Sequence, residues 1–286
     1  MTWDLHEEVK MKIIADTPTL YSPAEGRELG ITIIPACTII DDQVYRDYED
    51  ISSEAILQKI EEGAVPTTSQ PAIGDIIEVF ESCPDEMLVL PIGDGLSGTY
   101  QNMEGAKNMI EDNSRIHIID TKTLAGPQRY LVQKALKLRE EGKDILTIMR
   151  RLQESIETSV SFVIPSDFNF LKRSGRLTPL AAKLGNIIKI VPVMTQTEDK
   201  KRITPFVIKR SKRKAVEAII EHLKHLGVDE NYIISISHGG VIEDAKAVMC
   251  QIKEFFSRTE MQLFMLPPSL MTHGGPGCIV IQAIRK

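Results

Sequence analysis

Four short segments carry hydroxyl, imidazole or guanidinium groups beside glycine or proline, the residue types that hold an anion without a metal. Residues 66–71 read PTTSQP and set Thr67, Thr68 and Ser69 ahead of a helix expected from about Ala72. Hydroxyls and free backbone N–H groups at a helix start suit a carboxylate or phosphate, and the same residues also serve as ordinary helix caps. Residues 93–101, GDGLSGTYQ, follow an expected strand and open a helix. A Gly-rich loop there can present N–H groups to an anion, or simply make a tight strand-to-helix turn. Residues 171–177, LKRSGRL, supply Arg173 and Arg176. Guanidinium forks match carboxylates, although an exposed surface role fits them equally. Residues 272–277, THGGPG, place His273 before glycines that let backbone approach a ligand, while the imidazole can donate to an anion. A histidine in a turn also has purely structural uses.

Several chemistries are disfavoured. No GxxxxGK[ST] loop is present, so no nucleoside-triphosphate site is expected. Ser97 lies between Leu96 and Gly98 and is not the serine of a GxSxG elbow. Cys37, Cys83, Cys250 and Cys278 form no CxxC pair, which argues against a zinc site and a redox dithiol. Scattered cysteines of this kind suit a reducing cytoplasm. Net charge is −6, from 34 basic and 40 acidic residues, a poor basis for binding nucleic acid. The first ten residues are acidic and lack an apolar segment of the secretory type. No stretch approaches the roughly 18 apolar residues of a membrane span.

The elements that must position these segments follow an α/β rhythm. Short apolar runs alternate with amphipathic segments, the pattern of a largely parallel sheet. Strands are expected at residues 11–15, 31–34, 87–92 and 115–120. Helices are expected at 52–61, 73–81, 98–110, 125–141 and 144–157, with Ser52 as a cap and Gly142 as a stop. The rhythm changes near residue 158, where a domain boundary is expected without a long linker. Beyond it, strands are expected at 160–164, 190–194, 203–208, 232–237, 261–266 and 278–284. Thr178 is set to cap a short helix with Pro179 at its first position. Ser211 is set to cap another whose Val216, Ile219, Ile220, Leu223 and Leu226 recur at helical spacing, and a third helix is expected at 241–257.

One charged run stands apart. Lys200, Lys201, Arg202, Lys209, Arg210, Lys212, Arg213 and Lys214 occur without an acidic residue among them. Such runs are commonly solvated faces. Basic residues at a helix start oppose its dipole, which favours a docking role.

In order along the chain, ADT, PTTSQP, LSGTY, LKRSGR, LGNIIKIVPV and HGGPG match the motif order of the DegV family, the fatty-acid-binding FakB-type proteins. The resemblance covers residues 11–284. It implies a two-domain DegV-like (EDD) α/β fold with the ligand in the cleft between the domains. Residues 1–158 would form a Rossmann-like parallel-sheet domain carrying head-group loops. Residues 159–286 would form a second α/β domain with a mixed sheet, completing an acyl-chain pocket. The ligand implied is a long-chain fatty acid, its carboxylate met by Thr68 and Ser69, Ser97 and Gly98, and His273, with Arg176 close by. Phe162, Phe168, Phe170 and Leu266 are candidates for the tunnel wall. The resemblance further implies a carrier with no catalytic residue, cofactor or metal, presenting its acid to a separate fatty acid kinase that forms an acyl-phosphate. Arg202 and Arg210 are the candidate docking residues.

Two positions depart from the family pattern. Gly93-Asp94 stands where many relatives have a serine pair, and a carboxylate there repels an anionic head unless it points away. Ser174 stands where relatives commonly carry glycine. The fold also resembles the substrate domain of dihydroxyacetone kinase, which keeps open an enzyme or substrate-binding subunit acting on a small carbonyl compound through His238 or His273. A serine hydrolase built on Ser97 and His273, and a DNA-binding role for residues 200–214, have no supporting motif.

Overall fold

The computed structural model describes residues 11–183 and 190–286. Most of the LGNIIKIVPV motif, residues 184–189, lies outside the described residues. β1 (Lys12–Asp16) leads through a 3₁₀ turn (Thr17–Thr19) and α1 (Pro23–Glu28) to β2 (Ile31–Ile34). Next come β3 (Cys37–Ile40), β4 (Gln43–Arg46), α2 (Ser53–Glu61), β5 (Thr67–Ser69) and α3 (Ile73–Glu81). β6 (Met87–Leu90), α4 (Thr99–Lys107), β7 (Ile116–Ile118), α5 (Ala125–Glu140) and α6 (Ile145–Thr158) follow. The later elements are β8 (Val160–Ile164), α7 (Phe168–Arg173), α8 (Pro179–Ala182), β9 (Val191–Gln196), β10 (Ile203–Lys209) and α9 (Lys212–His225). They end with β11 (Tyr232–His238), α10 (Ile242–Lys253), β12 (Glu260–Met265), α11 (Pro268–Gly274) and β13 (Ile279–Arg285).

Strands β2-β1-β6-β7 form a parallel sheet. Strands β10-β9-β8-β13-β11-β12 form a mixed sheet, in which β11 and β12 alone run parallel. The α/β class with a parallel sheet first and a mixed sheet second is therefore the architecture formed. Alternation along the strands explains the layering. Ile13, Ala15, Leu88 and Leu90 face α5 and α6, while Ile14, Met87 and Val89 face α3 and α4. The opposite side of the α5–α6 layer receives Ile233 of β11 and Ile284 of β13. The far face of the mixed sheet is covered by α9 through Val216, Ile219 and Ile220 and by α10 through Ala245, Val248 and Ile252. Five layers result: helices, parallel sheet, helices, mixed sheet, helices.

The three caps expected from local sequence form: Ser52 accepts from the N–H of Ala55, Thr178 from Ala181 and Ser211 from Lys214. Asp144, not singled out beforehand, caps α6 by accepting from Thr147 N–H. Three features differ from expectation. A small antiparallel sheet, β4-β3-β5, lies in the first half. PTTSQP is not a helix cap: Thr67–Ser69 is its edge strand, drawn into pairing by Cys37, Thr38 and Ile39, and Ala72 caps α3 without a side chain. THGGPG is not a free turn either, because His273 belongs to the last turn of α11.

Where the helix layer meets the mixed sheet, contact is close. Gln282, fully buried, accepts from Gly126 N–H and donates to Leu124 O and Ser161 Oγ. A Cβ on Gly126 would lie 1.9 Å from Ser235 Oγ. Gly126→Ala should cost about 1–3 kcal/mol of stability through this overlap. A urea midpoint equal to wild type would show that the start of α5 can move off β11.

Candidate functional site

The parallel sheet reverses strand order between β1 and β6, the position where open α/β sheets leave a crevice at their carboxyl ends. Asp16 ends β1 and accepts from Ile92 N–H with both oxygens, at 3.1 and 3.2 Å, and from Gln128 Nε2 at 2.7 Å. These bonds fix the chain leaving β6 just before the LSGTY segment. A cavity opens there. Its empty volume is about 820 Å³ including the mouth. Pro18, Ala36, Ile92, Leu124, Val163 and Val280 are among its apolar walls.

The polar wall comes from four separate segments. Thr68 and Ser69 arrive on β5, Ser97 and Thr99 at the start of α4, Ser174 and Arg176 after α7, and Ser269 and His273 on α11. Thr68 Oγ1 and His273 Nε2 are 2.8 Å apart. With the proton on Nε2, the imidazole donates to Thr68 and leaves the Thr68 hydroxyl free to donate into the cavity. Ser97 Oγ lies 2.9 Å from Thr99 Oγ1. Arg176 Nε donates to Leu96 O at 3.1 Å, and Nη1 donates to Ser174 O. Its remaining guanidinium donors are available to a carboxylate.

Charge is distributed with the same economy. Burial, reinforced by the Arg176 cation, pushes His273 from the usual 6.5 down to about 3, so the imidazole is neutral at pH 7. Burial also lowers the Arg176 pKa. Asp94 points away from the cavity. It accepts from Lys201 Nζ at 2.6 Å and from Gln101 Nε2 at 3.2 Å, and the Lys201 hydrogen bond holds its carboxyl below the usual range. The repulsion expected from Asp94 is therefore relieved by its own partner.

Of the sequence-derived candidates, Thr68, Ser69, Ser97, Arg176 and His273 share the one cavity. Gly98 does not line it. It lies on an outer shelf beside Asp94, Arg176, Lys201 and Arg202, and a Cβ there would meet Gln70 Oε1 at 2.3 Å. Gly98 thus lets the LSGTY turn pack on PTTSQP. Thr99, Ser174 and Ser269 also line the cavity, and sequence reading missed all three as ligand-facing groups. The Pro267-Pro268-Ser269 run signalled a helix start that could have placed Ser269. Leu266 lines the cavity as expected, whereas Phe162 packs instead against Phe206 and His222 in the second core. Phe168 and Phe170 are absent from the cavity wall; the Phe170 ring sits against Gly275 and below Arg173.

The basic run is only partly free. Lys200 Nζ turns inward to Ile156 O, Ser159 O and Ser159 Oγ. Lys201, Lys212 and Arg213 pair with Asp94, Asp244 and Glu217. Arg202 and Arg210 are exposed. His238 is buried off the cavity, with Nδ1 unbonded. Ser97 and His273 bond to different threonines and form no nucleophile–base pair. Among the described residues no cluster of three metal-ligating side chains occurs.

A family model described as an uncharacterised protein of the DegV family matches residues 10–286. The chain belongs to the DegV family. It is 28% identical over 278 residues to a DegV domain-containing protein of Halalkalibacterium halodurans, covering 94% of this chain and 96% of that one. Among solved structures, a DegV family protein from Thermus thermophilus, described for its fatty acid binding, superposes with a TM-score of 0.87 at 26% identity. The match covers 97% of this chain and all of that one (100%). A fatty acid binding DegV family protein from Streptococcus agalactiae gives 0.86 at 26% identity, over 97% and 99% of the two chains. In this DegV chain no helix among the described residues is long and apolar enough to cross a membrane.

The titration of the site has a definite sign. His273 has its folded pKa below its unfolded value, so its contribution to stability is present above 6.5 and is lost as pH falls from 6.5 toward about 3. Asp16 and Asp47, raised by burial from 3.8 to about 7 and about 6, run the other way and lose their contribution as pH rises through those values. His273→Gln should therefore gain stability relative to wild type as pH falls below 6.5. Urea unfolding between about pH 4.5 and 8 reads this, and parallel curves would contradict a neutral His273.

Proposed function

We propose that this protein carries one long-chain fatty acid, with its carboxylate at the Thr68–His273 wall and its chain along the apolar cavity. The observation that carries the reading is the convergence of Thr68, Ser97, Arg176 and His273 on one narrow, mostly apolar hollow. Relatives described as fatty acid binding support it. The energetics are adequate. Burial of about 14 methylenes offers at most about 11 kcal/mol, part of which is consumed by ordering and desolvation. The head group then mainly sets orientation. It stays ionised because several donors and one guanidinium replace its water.

On this proposal the protein is a carrier and not a catalyst, acting in the cytoplasm. It is divided near residue 158 into a part bearing most head-group loops and a part that closes the pocket. A separate fatty acid kinase would phosphorylate the presented carboxylate to an acyl-phosphate. Arg202 beside the shelf, and Arg210 ahead of α9, are the docking cations in this scheme. Burying an isolated ionic shelf is costly, so docking that covers it should depend on charge complementarity and on salt.

Two measurements test the proposal. Organic extraction and mass spectrometry of the purified protein should release one long-chain acid per chain, and Ser97→Ala or Thr68→Val should weaken its binding by about tenfold. Recovery of a small polar carbonyl compound instead would favour the dihydroxyacetone-kinase-like alternative. For the partner, Arg210→Glu should weaken salt-sensitive association with a fatty acid kinase, and unchanged association would remove Arg210 from the interface.

A further inference from the structure

We propose that Asp47 is the positioning residue of the head-group site, setting the separation of Thr68 and His273 by clamping the strand beside Thr68 to the start of the helix that carries His273. The inference rests on the carboxylate-binding reading above and adds a residue that none of its motifs contains.

Asp47 is fully buried and makes three hydrogen bonds, to three separate segments that lie at or next to the cavity wall. Its Oδ1 accepts from Thr38 Oγ1 at 3.2 Å. Thr38 lies directly opposite Thr68 in the β3–β5 register, so the two side chains share one face. Its Oδ2 accepts from Ser269 N–H at 3.1 Å, across 222 residues of sequence. Ser269 is in the first turn of α11 and His273 is one turn later. Pro267 gives that helix no side-chain cap, so Asp47 supplies the missing acceptor from a distant loop. The third donor is Thr17 Oγ1, at 3.2 Å. The same oxygen accepts from Ala36 N–H, and Thr17 precedes Pro18; both Ala36 and Pro18 line the cavity.

The loop that delivers this carboxylate is costly to build. Tyr48 adopts φ 66, an unfavourable region for a bulky side chain. The turn is held by Asp47 N–H to Ala36 O and Tyr48 N–H to Ile51 O. Asp47 has no Lys or Arg ion-pair partner among the described residues. Burying a carboxylate against neutral donors is a poor route to stability compared with an apolar residue of similar volume. Strained backbone and an unpaired acid at this spot are accounted for by the geometry they impose on the neighbouring donors.

The test compares hexadecanoic acid with hexadecan-1-ol, which share a chain and differ in the head. Wild type should prefer the acid. Asp47→Asn keeps the volume but cannot accept all three bonds; it should weaken acid binding by about tenfold and alcohol binding by less than about twofold. Thr38→Val, which leaves the carboxylate in place and removes one donor, should shift the preference in the same direction by about threefold and serves if Asp47→Asn does not fold. Equal weakening of both ligands, or an unchanged acid preference in folded Thr38→Val, would overturn the proposal and leave Asp47 a structural residue. A wild type without preference for the acid would instead defeat the carboxylate reading on which it stands.

Discussion

The bond between Thr68 and His273, 2.8 Å long, joins side chains 205 residues apart. Neither group has an adequate local partner, and both would be left unsatisfied in an apolar hollow if the small sheet and α11 failed to meet. The architecture makes that meeting possible. The α5–α6 layer packs on both large sheets at once, meeting Ile13 and Leu88 of the parallel sheet on one side and Ile233 and Ile284 of the mixed sheet on the other. Two sheets fixed against a shared layer bring the carboxyl end of β1 alongside α11. Distance control at the site is thus a consequence of core packing far from it.

Electrostatics follow from the same enclosure. Seven of the cavity's polar groups are hydroxyls or a neutral imidazole, and Arg176 is the single guanidinium on the described wall. Its orientation is set by two backbone carbonyls, Leu96 O and Ser174 O, so the LSGTY and SGR segments fix each other through it. Asp94, which stands next to this arrangement in sequence, is removed from it by Lys201. A carboxylate ligand entering here meets one uncompensated cation and several donors, which favours its ionised form without a strong net positive field. Asp16 and Asp47 lie behind the wall and hold the loops, so buried carboxyl groups support the site as hydrogen-bond acceptors without facing the ligand.

Much of this was legible from residues alone, and the limits have physical causes. Helices starting at Ser53, Ile145, Pro179 and Lys212 are capped by the residue immediately before them, a signal contained in a few positions. α11 is capped by Asp47 from 222 residues away, which no local window contains, and its glycines made the segment read as a turn. β3, β4 and β5 are three or four residues long and exist through pairing with each other. The Asp41-Asp42 pair, both at positive φ, marked the hairpin between β3 and β4 for a closer reading. At the site, the motif residues Thr68, Ser69, Ser97, Arg176 and His273 line one cavity. Gly98 falls outside this cavity and packs so close to Gln70 that a Cβ would overlap it, a contact across the fold that glycine beside a hydroxyl does not announce. Ser174, noted only for loop geometry, proved to line the cavity as well.

The most direct measurement is carbon-13 NMR of a carboxyl-labelled long-chain acid added to the delipidated protein. A single bound resonance is expected, distinct from free and micellar acid, displaced by Thr68→Val and by His273→Gln, and unmoved by Arg210→Glu on the outer surface. A resonance indistinguishable from unbound acid, or one indifferent to Thr68 and His273, would contradict convergence of these donors on an anionic head.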